Sequence, residues 1–364
     1  MSIRSNWMLY GAYGSTGRLI LEEALRRGHR PLLAGRDAAK LSALGQATGL
    51  ATQPLALDDG RALRTALSAV NCVLLAAGPY HVTGPAMRAA CLDAGCSYLD
   101  VNAELEDFSD ALACNQHARS AGVAIIPGVG YGVVFTECLA AQVASRVPDA
   151  TWLRLSLATQ TAGRSRSATL STAAAMIAGG REIYQGALRQ RAMAFTTWRA
   201  PRGDAHGMRF AAAPLAELVA AQRSTGIPNI VAGIPLSRAA AALMRVGGRS
   251  VGRFVRWQAA RASTRVEATS SDPAVTSLRS RVWAEAGDST GTYRAALLET
   301  GEGYRAAAVA AMRSIELQLR EPRAGALTPA QAFGADFALL VPGTRIRSFN
   351  DHGDQDSTRN RPND

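Results

Sequence analysis

Strands and helices alternate in the hydrophobic pattern of the first 127 residues. Short apolar runs, each closed by a turn residue, are separated by segments in which apolar residues recur at helical spacing. Runs of this kind are typical of strands that a parallel sheet buries on both faces. The six predicted strands are 6–10, 30–36, 52–57, 71–77, 97–101 and 123–127. The pattern therefore predicts an α/β fold with a doubly wound, Rossmann-type parallel sheet.

The first strand leads into a glycine-rich turn, YGAYGSTGR at residues 10–18. Its glycines have a GxxGxxG spacing, which suits a tight turn, close approach of backbone N–H groups to a pyrophosphate, and close helix packing. The same spacing occurs in ordinary turns, so the alternating strands and helices decide in favour of a dinucleotide site. The residues expected to contact the cofactor in this turn are Gly11, Tyr13, Gly14, Ser15, Thr16 and Gly17.

Charged residues at two further strand ends favour NADP(H). At the end of the second strand an acidic residue holds the 2′-hydroxyl of NAD, whereas an arginine accepts the 2′-phosphate of NADP. Arg36 stands at that position, although Asp37 directly after it leaves some use of NAD open. Asp58, at the end of the third strand, is expected either to approach the adenine or to cap a helix.

The loop after the fourth strand is expected beside the nicotinamide half of the cofactor. Ala77, Gly78 and Pro79 are predicted to contact the cofactor. Tyr80 and His81 follow them and could bind substrate or carry protons, and a solvated histidine is the alternative.

Titratable groups on the loops at the carboxyl ends of the strands are the candidate catalytic residues. They are Tyr131, Tyr80 and Glu104, and a structural role is the alternative for each. Tyr131 is favoured because GVGYG predicts an exposed glycine-rich turn, and it is also a candidate for substrate binding. Arg164 and Arg166 could bind a substrate carboxylate or a phosphopantetheine phosphate, or lie in a solvated loop.

The second half of the chain predicts an α+β domain. Residues 151–159 alternate as a strand, and 281–299 predict a hairpin around GDSTG. We expect an NADP-binding domain over 1–149, a substrate or dimerisation domain over 150–320, and a segment returning to the first domain over 321–347. Residues 348–364 lack apolar periodicity and predict a disordered tail.

Composition narrows the class of protein. The chain has 364 residues and a net charge of +11, almost entirely from arginine, since Lys40 is its only lysine. The single lysine excludes the YxxxK pair of short-chain dehydrogenases. Scattered arginines with few aromatics disfavour nucleic acid and favour an anionic ligand or acidic partner. No signal peptide, integral membrane segment, disulfide framework or metal site is indicated, so we expect a cytoplasmic protein.

An ordered set of segments resembles one family. The segments are YGAYGSTGRLI, LAGRD, AAGPY, SYLDVNAE, AGVAIIPGVGYGVVFTECLA, SRSAT, TGIPN and LTPAQAFGADF. Together they resemble the saccharopine dehydrogenase-like oxidoreductases, a group that includes bacterial trans-acting enoyl reductases. The chain departs from the GFDxxPxD that members commonly carry after the sixth strand. Gly132, Phe135 and Glu137 replace the first aspartate, the proline and the second aspartate.

The resemblance implies an NADP(H)-dependent reductase acting on a polarised C=C or C=N bond of a biosynthetic intermediate. The substrate would be a small molecule or a carrier-bound group, with an acidic acyl carrier protein as a partner and a homodimer as the assembly. The alternative is a non-catalytic regulator or scaffold that binds NADP(H).

Overall fold

The computed structural model describes residues 6–161, 166–200, 208–261, 277–349 and 355–359. The chain divides into two compact units. The first comprises the described parts of Met1–Asn102, Glu106–Tyr131 and Tyr304–Phe333. The second comprises those of Ala103–Leu105, Gly132–Gly303 and Gly334–Asp364.

The secondary-structure elements follow in chain order. The strands are β1 Trp7–Tyr10, β2 Leu32–Gly35, β3 Thr52–Pro54, β4 Cys72–Leu75, β5 Ser97–Asp100, β6 Ala124–Ile126, β7 Trp152–Ala158, β8 Gly180–Tyr184, β9 Ala187–Arg191, β10 Thr197–Arg199, β11 Arg209–Ala212, β12 Asn229–Pro235, β13 Ser280–Gly287, β14 Tyr293–Thr300, β15 Gly325–Ala326, β16 Arg345–Phe349 and β17 Gln355–Arg359. The helices are α1 Ser15–Arg26, α2 Ala38–Thr48, α3 Gly60–Leu67, α4 Tyr80–Ala94, α5 Leu105–Ala113, α6 Asn115–Ala121, α7 Tyr131–Ala144, α8 Arg166–Ala178, α9 Glu217–Thr225, α10 Arg238–Arg261, α11 Gly303–Arg320 and α12 Pro329–Phe333. A 3-10 helix spans Phe337–Leu340.

The sheet of the first unit is parallel, with the described strands in the order β15-β6-β5-β4-β1-β2-β3. The six strands predicted from the hydrophobic pattern are confirmed. The order reverses at β1, whose Tyr10 pairs with Ala34 of β2 on one side and Leu75 of β4 on the other. Ligands of open α/β sheets bind at such a switch point, beyond the carboxyl ends of the strands.

The core of the first unit draws on two distant parts of the chain. Trp7, Leu9 and Ile20, near the start of the chain, share one buried cluster with Met312 and Ile315 of α11. The return of the chain to this unit spans residues 304–333, whereas the sequence placed it at 321–347. Helix α11 therefore helps to fill the core of the nucleotide-binding sheet.

The sheet of the second unit is mixed. Its described strands run β10-β11-β12-β7-β13-β14-β16-β17, and β8 pairs with β12 and β9 beside this path. β12 and β7 are parallel, and the predicted hairpin is present as β13 and β14. Trp198, Phe210 and Trp283 are buried together on this sheet. Among the helices of the described ranges, none combines the length and apolar character that crossing a bilayer requires.

Part of the segment predicted as a disordered tail forms strands. β16 pairs with β14, and Gln355–Arg359 pairs with β16 in turn. The Ser348 hydroxyl also accepts a hydrogen bond from Arg146. Without β16, one edge of β14 would present unpaired backbone donors and acceptors, which can pair with any extended chain. This pairing therefore does not require the apolar face whose absence led to the expectation of disorder.

Candidate cofactor and active site

The glycine turn after β1 is closely packed. Gly11 has a φ of +88°, and its N–H donates to the Ala34 carbonyl over 2.8 Å. A Cβ at this position would lie 2.9 Å from the backbone of Ala76, beyond the end of β4. A Cβ at Gly17 would overlap the Gly11 carbonyl oxygen. Both glycines are therefore required, one for the conformation of the turn and its approach to β4, the other for the approach of α1 to the turn.

The N-terminus of α1 is open to an anion. Gly14 is its N-cap, with extended backbone, and no side chain of the described residues caps the helix. The first turn of α1 carries no acidic residue, so nothing there offsets the positive end of the helix dipole. Ser15 and Thr16 begin the helix. Their position and the free first-turn N–H groups fit a dinucleotide pyrophosphate.

Arg36 is exposed directly after β2, at the position expected for recognition of the adenosine ribose. Asp37 has another role: it caps α2 by accepting the Lys40 N–H over 3.0 Å, and it pairs with the Lys40 ammonium over 2.8 Å. The hydrogen bond from Lys40 lowers the pKa of Asp37. The Asp37 N–H in turn donates to the Tyr13 hydroxyl over 3.2 Å. Arg36 therefore remains as the charged group available to a ribose 2′-phosphate.

Asp58 does not cap α3, which was one of its two expected roles. The cap is Asp59, which accepts the Ala62 N–H over 3.0 Å. Asp58 is exposed in the turn before it. Burial raises the pKa of Tyr10 to about 12, and the charges of Arg36 and Asp58 act on it in opposite directions.

The loop after β4 is shorter than the sequence predicts. Gly78–Pro79 is a cis peptide bond, and the Thr83 hydroxyl donates to the carbonyl of Ala77 over 2.6 Å and of Pro79 over 3.2 Å. Helix α4 begins at Tyr80, directly after this cis peptide, so the loop expected after β4 ends before Tyr80. Tyr80 is half-buried and His81 exposed, both in the first turn of this helix.

A buried polar network at the end of β5 is a feature that sequence reasoning missed. Asp100 is fully buried and accepts hydrogen bonds from the Tyr98 hydroxyl over 2.5 Å, the Asn102 N–H over 2.9 Å and the Gly128 N–H over 2.8 Å. Burial raises the pKa of Asp100 to about 6, while these hydrogen bonds oppose the rise. One carboxylate thus fixes the loops that follow β5 and β6.

An arginine and a second aspartate extend this network. Arg88 donates two hydrogen bonds to Asp107, over 2.7 and 2.9 Å, and the Asn102 amide donates to the same carboxylate over 2.7 Å. Gly84 makes room for the pair, because a Cβ there would lie 2.9 Å from the Asp107 carboxylate oxygens. The signal in the sequence was SYLDVNAE, which supported the resemblance without indicating a network.

The candidate acids are placed differently from their expected setting. Tyr131 was expected in an exposed turn, but it is only 8% exposed and is the first residue of α7. Glu104 is half-buried and accepts a hydrogen bond from the Ser171 hydroxyl over 2.8 Å. Tyr131 belongs to the first unit and Glu104 to the second. Their roles stay predictions.

Glu217, the first residue of α9, is a second feature that sequence reasoning missed. Its side chain is buried against Gly132, in the first turn of α7. Its Oε2 atom has no hydrogen-bond partner among the described residues. Burial raises the pKa of Glu217 to about 7. No sequence signal linked positions 132 and 217, because their proximity depends on the tertiary fold.

Of the two arginines proposed for substrate binding, Arg166 alone belongs to a described element, helix α8. Arg164 is outside the described residues. Arg166 begins the helix, and its side chain is also outside the described part of the chain. Both assignments stay predictions.

Comparison with known proteins supports the nucleotide site. Residues 7–126 match the family described as the saccharopine dehydrogenase NADP binding domain. A protein of Arabidopsis thaliana named probable mitochondrial saccharopine dehydrogenase-like oxidoreductase is 29% identical over 151 residues, which cover 36% of this chain and 32% of that protein. The trans-acting enoyl reductase of Mycobacterium tuberculosis is 32% identical over 132 residues, which cover 34% of this chain and 32% of that protein. These matches therefore span about a third of each relative.

The fold has a counterpart among solved structures. Saccharopine dehydrogenase (L-Glu forming) from Saccharomyces cerevisiae superposes with a TM-score of 0.63 over 95% of this chain and 100% of that chain, at 11% identity. At this identity the likeness concerns the fold alone. Together with the family match, it confirms the predicted fold and resemblance, and the family match confirms NADP(H) as the cofactor.

Proposed function

We propose that this chain, whose residues 7–126 match the saccharopine dehydrogenase NADP binding domain, is an NADP(H)-dependent oxidoreductase that reduces a polarised C=C or C=N bond of a biosynthetic intermediate. The observation that carries the proposal is the open N-terminus of α1 beside an exposed Arg36, which fits NADP(H). The name of the mycobacterial relatives supports an enoyl-type C=C bond. The name of the Arabidopsis relative leaves a C=N bond as the second option.

The residues of the chain would bind the cofactor, orient the substrate and supply a proton to it. Bound NADPH supplies the hydride. Gly11, Gly14 and Gly17 would hold the pyrophosphate, and Arg36 the 2′-phosphate. Asp100 positions the backbone of the loop after β6 by accepting the Gly128 N–H, and so sets where Tyr131 begins α7.

Tyr131 is our candidate for the group that supplies the balancing proton. It follows the loop after β6 directly, and loops at the carboxyl ends of strands are where ligands of this fold bind. Its burial keeps the hydroxyl away from bulk water, which suits a donor of fixed position. Glu104 and Tyr80 are the alternative donors.

The substrate is proposed to be either a small molecule or a carrier-bound group. A phosphopantetheine phosphate, presented by an acidic acyl carrier protein, would suit Arg164 and Arg166 and the net charge of +11. A homodimer in the cytoplasm stays part of the proposal.

Cofactor turnover tests the proposed function. The full chain should oxidise NADPH in the presence of 2-enoyl thioesters or a cyclic imine, measured by the loss of nicotinamide absorbance. A Gly14→Asp variant, which places a negative charge at the pyrophosphate site, should lose both cofactor binding and oxidation. Tight NADPH binding without oxidation across acceptors of both classes would contradict the proposal and assign the chain to the non-catalytic regulators.

A further inference from the structure

One side of helix α10 packs closely on its neighbours in the second unit. Gly252 allows the approach to α8, since a Cβ there would lie 2.9 Å from the Ala173 carbonyl oxygen and from Ile177. A Cβ at Gly248 would lie 3.2 Å from Met193. The small residues thus face inward, together with Met244 and Arg245, and the exposed long side chains of α10 lie on the other side.

That other side carries an exposed apolar strip. Leu243, Val246, Phe254 and Trp257 expose 58, 93, 56 and 54% of their surface. At helical spacing they fall within an arc of about 80° and extend over about 21 Å of the helix axis. The rings of Phe254 and Trp257 stack with centroids 5.9 Å apart. Exposed apolar surface of this extent on one helix indicates an interaction site.

An arginine strip runs beside the apolar one. The helix sequence contains six arginines and no aspartate, glutamate or lysine. Arg249, Arg253 and Arg256 are exposed next to the apolar strip and pair with no carboxylate in the described ranges. By helical geometry they occupy an adjacent arc of about 60°. The outer surface of α10 is therefore divided lengthwise into an apolar and a cationic half.

We propose that this outer surface of α10 binds the face of an anionic lipid bilayer, with the helix lying in the plane of the interface. Leu243, Val246, Phe254 and Trp257 would enter the boundary between headgroups and acyl chains, and the arginines would contact lipid phosphates. A helix with aromatic and aliphatic residues along one strip and arginines along the next is typical of those that lie at a membrane interface. The proposal is independent of the reductase chemistry.

The positive charge of α10 favours an anionic bilayer over a second copy of the chain as the binding partner. Two α10 helices packed face to face would bring two sets of arginines together with no acidic residue on either helix to pair with them. An anionic lipid surface offers phosphates along the whole length of the helix. Each basic residue near such a surface strengthens attachment, and salt weakens it.

Sedimentation of the full chain with vesicles tests the proposal. We expect binding to mixed phosphatidylglycerol and phosphatidylcholine vesicles, weakened by added salt, and little binding to pure phosphatidylcholine. Replacing Phe254 and Trp257 by serine, or Arg249, Arg253 and Arg256 by glutamine, should each weaken binding about tenfold or more. The matched control replaces Tyr184 and Leu188, exposed on β8 and β9, by serine and should bind like the wild type.

Fluorescence gives a second measurement. The difference spectrum between wild type and Trp257→Phe should shift to shorter wavelength when phosphatidylglycerol vesicles are added, because the indole leaves water. Absence of binding to these vesicles, or equal binding by all variants, would overturn the proposal. Self-association that the Phe254 and Trp257 substitutions abolish, with no vesicle binding, would assign this surface to a second copy instead.

Discussion

The carboxyl group of Glu217 fills the space that a side chain at Gly132 would need. Gly132→Ala should therefore lower the free energy of unfolding by about 1–3 kcal/mol through overpacking. In a Glu217→Ala background the same substitution should be neutral or mildly stabilising, because alanine favours a helix over glycine. Urea unfolding of the four proteins measures this coupling. Gly301→Ala, where a Cβ meets nothing within 4 Å, is the control, and equal effects in both backgrounds would refute the contact.

Glu217 should also make the second unit less stable as the pH rises. Burial raises its pKa from 4.5 to about 7, so between these values the folded chain holds a proton that the unfolded chain releases. Stability is full below pH 4.5 and falls toward pH 7, by about 3 kcal/mol at 1.36 kcal/mol per pH unit. Relative to wild type, Glu217→Gln should therefore gain stability from pH 5 to 7. Glu22→Gln, at an exposed position, should show no such trend in urea unfolding.

The stability that Glu299 contributes should depend on pH in the opposite direction. Burial favours its neutral form, but hydrogen bonds from Arg281 and Arg347 and the charge of Arg345 outweigh this and lower its pKa to about 2. The stabilisation of the fold by the Glu299 carboxylate is fully present above pH 4.5 and is lost as the pH falls toward 2. Glu299→Gln should cost about 2 kcal/mol at neutral pH, and the deficit should shrink in acid.

Urea unfolding at neutral and acidic pH checks the Glu299 prediction. The control is Glu321→Gln, because Glu321 is 63% exposed and its pair with Arg320 should contribute little. A deficit for Glu299→Gln that persists unchanged to pH 2 would mean that packing, not charge, is what the substitution removes.

Arg36 should set the choice of cofactor. A charge-assisted contact with the 2′-phosphate contributes roughly 1.5–3 kcal/mol, or about 10- to 100-fold preference for NADPH over NADH. Arg36→Ala should lose that preference and keep its affinity for NADH, as measured by titration calorimetry. Arg320→Ala removes an arginine that is 69% exposed and should leave the preference intact. Equal affinity of the wild type for both cofactors would rule out the assignment.

Tyr131 should carry the proton. Tyr131→Phe is expected to lower turnover about 100- to 10,000-fold with little change in NADPH affinity, since general acid catalysis has that magnitude. Tyr80→Phe is the matched control, with steady-state rates and cofactor titration as the measurements. Full activity of Tyr131→Phe together with loss in Tyr80→Phe or Glu104→Gln would move the acid to one of those residues.

The parallel sheet and its glycine turn were predictable because both are encoded locally. Apolar runs between turn residues specify buried strands, and Gly11 and Gly17 occupy positions where a Cβ would collide with nearby backbone. The start of α4 at Tyr80 was not predictable from local signals, since Gly84 and Pro85 indicate a break in a helix. There the fold overrides the signal, because Gly84 leaves space for the pair of Arg88 and Asp107.

The features that were missed depend on contacts between distant segments. The Asp100 network joins β5 to the loop after β6, and the proximity of Glu217 to Gly132 joins α9 to α7. Judged from the neighbouring sequence alone, Asp100 and Glu217 each resemble an ordinary surface charge. Likewise, β16 and β17 form because a neighbouring strand edge accepts them, which their own sequence does not reveal.

The division of the first unit between both ends of the second has a consequence for synthesis on the ribosome. The chain leaves that unit after Tyr131 and returns at Tyr304, and β15 then pairs with β6. Until Gly303–Arg320 emerge, the growing chain lacks the apolar face of α11 that contributes to the core, and until Gly325 and Ala326 emerge it also lacks that edge strand. The nucleotide-binding sheet can therefore reach its final form only after Gly132–Gly303 of the second unit have been translated, and nascent chains halted before this point should be open to proteases and chaperones.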